Sequence, residues 1–186
     1  MLLYHATIET PIGEMFALAT ETELCALEFG SFARRDRLQA RMQRWFPPHE
    51  IGSGESAATR GARAWLARYF DGTGADSAEV QITLHGAPFE RRVWEALLRI
   101  PAGETRSYGQ IAKELGSPGA SRAVGLANGA NPIAIIVPCH RVIGSNGTLT
   151  GYGGGLDKKS WLLTHEARWR RELPLMDLMR DAQPRV

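Results

Sequence analysis

The chain has 186 residues, a formal net charge of +2, 44% hydrophobic and 23% charged residues, and two cysteines. Such a balance gives a globular protein with a core of ordinary size and excludes a collagen-like, low-complexity or disulfide-stapled chain. No run of eighteen apolar residues and no basic-then-apolar leader is present, so the expected setting is the cytoplasm, with no membrane partner and both thiols free.

In chain order, residues 2–8, 14–19 and 24–29 predict short strands in an antiparallel meander, punctuated by Pro11, Gly13 and Gly30. Residues 32–45 predict an Arg-rich helix stopped by Pro47 and Pro48, and residues 60–70 predict another. A loop over 71–78 leads to a last short strand at 80–84, and a domain boundary is expected at 84–87. Residues 1–84 are thus one unit and residues 85–186 a second, with a tail after about residue 168.

In the second unit Pro88 opens a helix whose apolar stripe, Phe89, Val93, Trp94, Leu97 and Leu98, ends at Pro101. Ser107 is a candidate N-cap for a helix carrying Ile111, Ala112 and Leu115, closed by Gly116. Ser117 and Pro118 predict the cap and first position of a second helix reaching Gly129, and together the two make a helix-turn-helix pattern. Residues 133–137 are an apolar run that predicts a buried strand, which delivers the chain to Pro138-Cys139-His140-Arg141. Asn146-Gly147 predicts a hairpin turn, with residues 148–150 returning. Asp157 is the expected cap of a final helix bearing Trp161, Leu162, Leu163 and Glu166.

Cys139 carries most of the chemical information. A cysteine nucleophile acts as thiolate, and a free thiol with pKa near 8.5 needs a cation, a helix N-terminus or a base nearby. His140, Arg141 and the more distant Glu166 supply such an environment. The plainer alternative is that Cys139 is a small buried hydrophobe, as free cysteines commonly are. Cys25, in a strand pattern with no His or Arg beside it, is read as packing. Residues 88–141 hold seven Lys/Arg against four Glu, an excess that suits phosphate contacts. Arg122 sits among unusually small residues, Gly119, Ala120, Ser121, Ala123 and Gly125, which let a nucleic acid approach closely. A zinc site is not expected, because Cys25, His5 and His49 have no ligand spacing.

The run Pro138-Cys139-His140-Arg141-Val142-Ile143-Gly144 resembles the active-site signature of the O6-alkylguanine-DNA alkyltransferases, the methylated-DNA–protein-cysteine methyltransferases. Ser107-Tyr108, Ser121-Arg122-Ala123-Val124-Gly125, Ala130-Asn131-Pro132, Gly151-Tyr152, Gly154-Gly155-Leu156, Trp161-Leu162-Leu163 and His165-Glu166 follow in family order. The likeness is strong over residues 85–167 and diffuse before them, and it points to the bacterial stand-alone type.

The resemblance implies an α/β (α+β) fold, with an N-terminal ribonuclease-H-like sheet domain and a C-terminal winged-helix-like domain. It implies one irreversible transfer per molecule, from O6-alkylguanine, with O4-alkylthymine as a second candidate substrate, in a flipped-out base onto Cys139. His140 would act through a water as base, Glu166 would orient it, and Asn131 would tie the helix pair to the active-site strand. Tyr108 would donate to the guanine and assist phosphate rotation. Arg122 would fill the gap left by the base, with Ala123 beside it at the DNA, and Tyr108, Val142, Tyr152 and Gly153 would wall the pocket. The partner implied is double-stranded DNA held through its minor groove, with no cofactor and a monomer when free. Gly153 and Ala134 stand where relatives carry Ser and Pro, and the expectation is tolerance of alkyl groups larger than methyl.

Three other readings use parts of the same pattern. A cysteine hydrolase shares Cys-His-Glu chemistry but has no need of Arg122 on a helix pair. An alkyltransferase-like sensor lacks the cysteine, and a sequence-specific regulator needs several long polar side chains on its second helix.

Overall fold

The computed structural model describes residues 1–30, 32–46, 48–74 and 76–172, so the expected stop at Pro47 and the tail beyond residue 172 lie outside the described residues. Strands form where the alternation predicts them: β1 (Leu2–Ile8), β2 (Met15–Ala19) and β3 (Leu24–Phe29), with β2 antiparallel to both neighbours. Helix α1 (Phe32–Trp45) lies on one face of this sheet, where Leu38, Met42 and Phe46 pack with Leu3, Leu18, Cys25 and Ala26. A two-residue strand, β4 (Glu50–Ile51), too short to show a period, pairs parallel with β1 and completes the order β3-β2-β1-β4. Helix α2 (Ala57–Asp71) covers the other face with Trp65, Leu66 and Tyr69. It starts three residues before the predicted one because Ser56 caps it, Oγ accepting from the Thr59 amide at 3.2 Å.

β3 is buried along its whole length, and the rest of the chain attaches to its free edge. The strand expected at 80–84 contracts to one bridge, Ile82 to Leu24. The strand expected at 133–137 is likewise a correction: all five residues are buried, but Ile133 makes one bridge to Leu27 and the chain then turns tightly. The cause is Asn131. Its Oδ1 accepts from the Ile133 amide at 3.0 Å and its Nδ2 donates to the Val137 carbonyl at 2.8 Å, so a side chain closes the segment on itself where a ladder was expected. Ile135 takes φ 70° inside that turn, a left-handed conformation rare for a β-branched residue.

Helix α3 (Pro88–Leu98) begins at its proline, as expected, and buries Val93, Trp94 and Leu97. Strand β5 (Arg106–Ser107) runs straight into α4 (Tyr108–Glu114), where Ser107 and Gln110 cap each other at 3.1 and 2.7 Å. The second cap is misplaced in the sequence reading. Ser117 to Ala120 form a turn closed by Ala120 N–H donating to the Ser117 carbonyl at 2.8 Å, and α5 (Ser121–Gly129) starts after it. Proline at the second position of a turn explains the difference. Asn146-Gly147 does turn, but residues 148–150 form no strand; β6 (Val142–Ile143) pairs parallel with β5 instead. Helix α6 (Leu156–Glu172) starts before Asp157, which sits in its first turn rather than at its cap.

One core runs through both halves, joining Met15, Leu24, Leu27, Trp65 and Tyr69 to Trp94, Ile133, Ile135 and Leu162. The fold is mixed α/β with a small sheet. Among the described residues no helix is long and apolar enough to cross a membrane.

Candidate active site

Cys139 opens a one-turn 3-10 helix, Cys139–Arg141, immediately after the turn that Asn131 closes. Asn128 Nδ2, from the last turn of α5, donates to the Cys139 carbonyl at 3.3 Å, so both flanks of the cysteine are held by asparagines. The thiol-bearing residue is 6% exposed. It borders a void of about 10 Å³ that is also lined by Asn131, Ala134, Tyr152, Gly153 and Phe29. That is room for one water molecule and far too little for a purine.

His140 is fully buried, and its Nε2 lies 2.7 Å from Glu166 Oε1. Glu166 is held by four further donor atoms from three other residues. Oε1 also accepts from Tyr69 Oη at 2.7 Å and Arg141 Nη2 at 2.8 Å, while Oε2 accepts from Arg141 Nε at 2.9 Å and the Gly103 amide at 3.0 Å. Burial alone would push this carboxyl up, but the His140 imidazole and the Arg141 guanidinium hold it well below the usual carboxylate range. It is therefore an anion that can only accept, so His140 carries its proton on Nε2. The other nitrogen, Nδ1, is buried without a hydrogen-bond partner among the described residues and keeps a lone pair. Burial lowers the His140 pKa, Glu166 opposes that, and Arg141 and Lys159 reinforce it. The result is an imidazole biased toward its neutral form next to a cysteine.

Sequence reasoning missed Lys159 and Tyr69. Lys159 is fully buried on α6, and its Nζ donates to the carbonyls of Val142 and Thr150, each at 2.6 Å. Burial brings its pKa down to about 8, with the negative form of Cys139 pulling the other way. A fully buried lysine is rare and its presence needs a reason; here it ties the strand after the cysteine to the start of the glycine-rich stretch over the void. Below pH 8 it is charged in both folded and unfolded chains. Between about 8 and 10.4 the unfolded chain binds more protons, so stability rises with pH, at most by about 1.4 kcal/mol per unit. Lys159→Met should lack that rise, and denaturant unfolding at pH 7.5 and 10 measures the difference.

The other expected residues divide into two places. Asn131, Tyr152 and Gly153 line the void with Cys139, whereas Tyr108 and Arg122 line an open groove of about 540 Å³ with Gly109, Ser121, Gly125, Leu126 and Ser145. Tyr108 Oη donates to the Thr150 carbonyl at 3.3 Å and so touches the stretch that roofs the void. Arg122 and Ala123 are exposed on α5, and Leu126, one turn on, is 78% exposed. Val142 is fully buried and meets the site through its carbonyl rather than by lining the void. A Cβ at Gly154 would lie 2.7 Å from the Phe29 ring and 2.9 Å from that of Tyr152, so any larger residue there would have to displace them. Cys25 is packing, as expected, its thiol pushed up to about 11 by burial.

Residues 88–168 match the family model for the 6-O-methylguanine DNA methyltransferase DNA-binding domain. A methylated-DNA–protein-cysteine methyltransferase of Salmonella typhimurium is 47% identical over 166 residues, covering 88% of this chain and 95% of the relative. This chain belongs to the methylated-DNA–protein-cysteine methyltransferase family. A Mycobacterium bovis family member is 45% identical over 177 residues, covering 95% of this chain and all of the relative. Among solved structures, Mycobacterium tuberculosis OGT in complex with DNA is 44% identical with a TM-score of 0.74, covering 91% of this chain and 94% of that one. Family membership thus extends over the diffuse first half as well as the signature.

Proposed function

We propose that the chain repairs O6-alkylguanine in double-stranded DNA by moving the alkyl group onto Cys139, once per molecule. What carries the reading is the buried Cys139, His140 and Glu166 constellation beneath a glycine stretch, one helix away from an exposed arginine. In the step itself, the thiol proton passes through a water to His140 Nδ1 and the sulfur attacks the alkyl carbon. The S–C bond forms as the C–O6 bond breaks, the electron pair stays with the guanine, and the proton that left the thiol ends on the guanine ring, so that His140 is neutral again. Glu166 keeps the imidazole oriented, as in a triad. The thioether product has no leaving group that the site can activate, so the protein is consumed.

DNA would be held through its minor groove by α5, with Arg122 replacing an extruded base and Ala123 and the neighbouring small residues permitting close approach. Tyr108, between the groove and Thr150, would receive the flipped nucleotide, and Tyr152 and Gly153 would face the alkyl group. In this reading residues 1–84 form a ribonuclease-H-like unit and residues 85–186 a helix-turn-helix, winged-helix-like unit. The order β3-β2-β1-β4, with β4 parallel to β1, supports the first description. The protein would work as a cytoplasmic monomer without a cofactor.

Intact-mass spectrometry after mixing with a duplex bearing O6-methylguanine tests the proposal. One added methylene, mapped to the Cys139 peptide and stopping at one per chain, is the expected result. Lesion binding with no mass gain would make the protein a sensor, and repeated turnover would return the hydrolase reading.

A further inference from the structure

Tyr69 reaches the site from the opposite half of the molecule. Its hydroxyl donates to Glu166 Oε1 at 2.7 Å across 97 residues of sequence, and the same oxygen receives His140 Nε2 at 2.7 Å and Arg141 Nη2 at 2.8 Å. The ring cannot swing away. Trp65 stacks on it at 5.3 Å between centroids, Trp169 meets it edge-on at 4.9 Å, and Phe70 and His165 close the remaining sides at 5.3 and 5.6 Å. His165 Nε2 also lies 2.7 Å from the Tyr69 carbonyl and fixes the main chain. Tyr69 is fully buried, and burial and the Glu166 charge push its pKa well above the ordinary value, so the hydroxyl remains a donor throughout the working range.

We propose that Tyr69 is a positioning residue of the alkyl transfer, whose hydroxyl shares Glu166 Oε1 with His140 and limits how tightly the carboxylate grips the imidazole. A carboxylate oxygen has two in-plane lone pairs, and three donors compete for them. Were Tyr69 to withdraw, the negative charge on Oε1 would fall more heavily on His140 Nε2–H and favour the imidazolium. The cationic form has no lone pair at Nδ1 to take the thiol proton. The charged and titratable groups facing this pair are Arg141 from the 3-10 turn, Lys159 from α6, and Cys139 and Tyr152 beside the void. Arg141 and Lys159 already oppose protonation of His140, and Tyr69 acts in the same direction through the carboxylate.

This rests on the reading of His140 as base, and the test separates the two. Single-turnover transfer from an O6-methylguanine duplex is followed from pH 5 to 9 for the wild type and Tyr69→Phe, which retains the boxed ring and loses only the hydroxyl. The acid limb of the rate profile should move up by about half to one pH unit, with the plateau rate changed less than about threefold. Titration of the His140 ring nitrogens by NMR should show the same upward displacement, whether or not His140 proves to be the base. A uniform loss of rate with an unmoved limb and an unmoved His140 titration would make Tyr69 a packing residue and overturn the proposal. If Tyr69→Phe does not fold, 3-fluorotyrosine at position 69, a stronger donor in the same box, should displace the His140 titration downward. No displacement, or an upward one, would equally overturn it. A displaced titration beside a rate profile that ignores it would retain the Tyr69 effect and remove His140 as base.

Discussion

Cys139→Ser should abolish transfer while leaving lesion binding within about threefold of wild type. The hydroxyl is isosteric enough for a residue 6% exposed and held by asparagines on both flanks, so stability should change by no more than about 1 kcal/mol. Reactivity is another matter. A thiol with pKa near 8.5 keeps a few per cent of thiolate at neutral pH even unassisted, and a serine hydroxyl keeps essentially none. His140, neutral and aimed by Glu166, cannot make up that deficit at a saturated carbon. The rate should fall by at least about a thousandfold, which corresponds to about 4 kcal/mol of barrier. Intact mass reads the transfer, and anisotropy with a labelled lesion duplex reads the binding. Residual alkylation of the serine variant at a tenth of the wild-type rate would mean that another side chain accepts the group.

Glu166→Ala should damage both chemistry and folding. Five hydrogen bonds converge on this carboxylate, and its removal leaves the Arg141 guanidinium, His140 Nε2–H, the Gly103 amide and the Tyr69 hydroxyl facing an apolar gap. Breaking such a buried pair from one side costs about 3–5 kcal/mol. The pH dependence has a definite sign. A carboxyl whose folded pKa is depressed stabilises the fold fully above its unfolded value of about 4.3 and progressively less below it. The carboxylate's own share of the gap between wild type and variant should therefore be constant from pH 8 down to about pH 5 and then shrink as the pH falls further. Transfer at neutral pH should drop by about a hundredfold or more, because the imidazole loses its tautomer and its orientation. Glu166→Gln, which retains the shape with one acceptor, should fall between the two. Denaturant unfolding across pH and single-turnover rates provide both readings.

How much of this was legible beforehand depended on whether the determining contact was local. Ser107, Pro88 and the three N-terminal strands announce themselves because a cap or an alternation acts within a few residues. Cys139 and His140 were legible for the same reason, as neighbours in a signature. The segment 133–137 misled because apolarity reports burial, not pairing; what denies it a ladder is the Asn131 side chain bonding at both ends. Ser117–Pro118 misled because a cap-plus-proline pair and a proline turn share the same letters. Lys159 and Tyr69 carried no local signal at all. A lysine in an amphipathic helix reads as solvated and a tyrosine in an aromatic run reads as core, and only the fold brings Nζ to the Thr150 carbonyl and Oη to Glu166.

The attachment of the second half to β3 has a consequence for how the molecule fails. Leu27 exchanges main-chain bonds with Pro132 and Ala134 at 2.9 and 2.7 Å, directly under the turn that carries the cysteine, and α2 lends a donor to the carboxylate behind it. An opening that frees the sheet edge would at once unseat the cysteine turn and loosen the imidazole. Local unfolding and loss of reactivity are thereby the same event. A half-folded copy would go silent instead of persisting as a loose, activated thiol open to electrophiles other than its substrate.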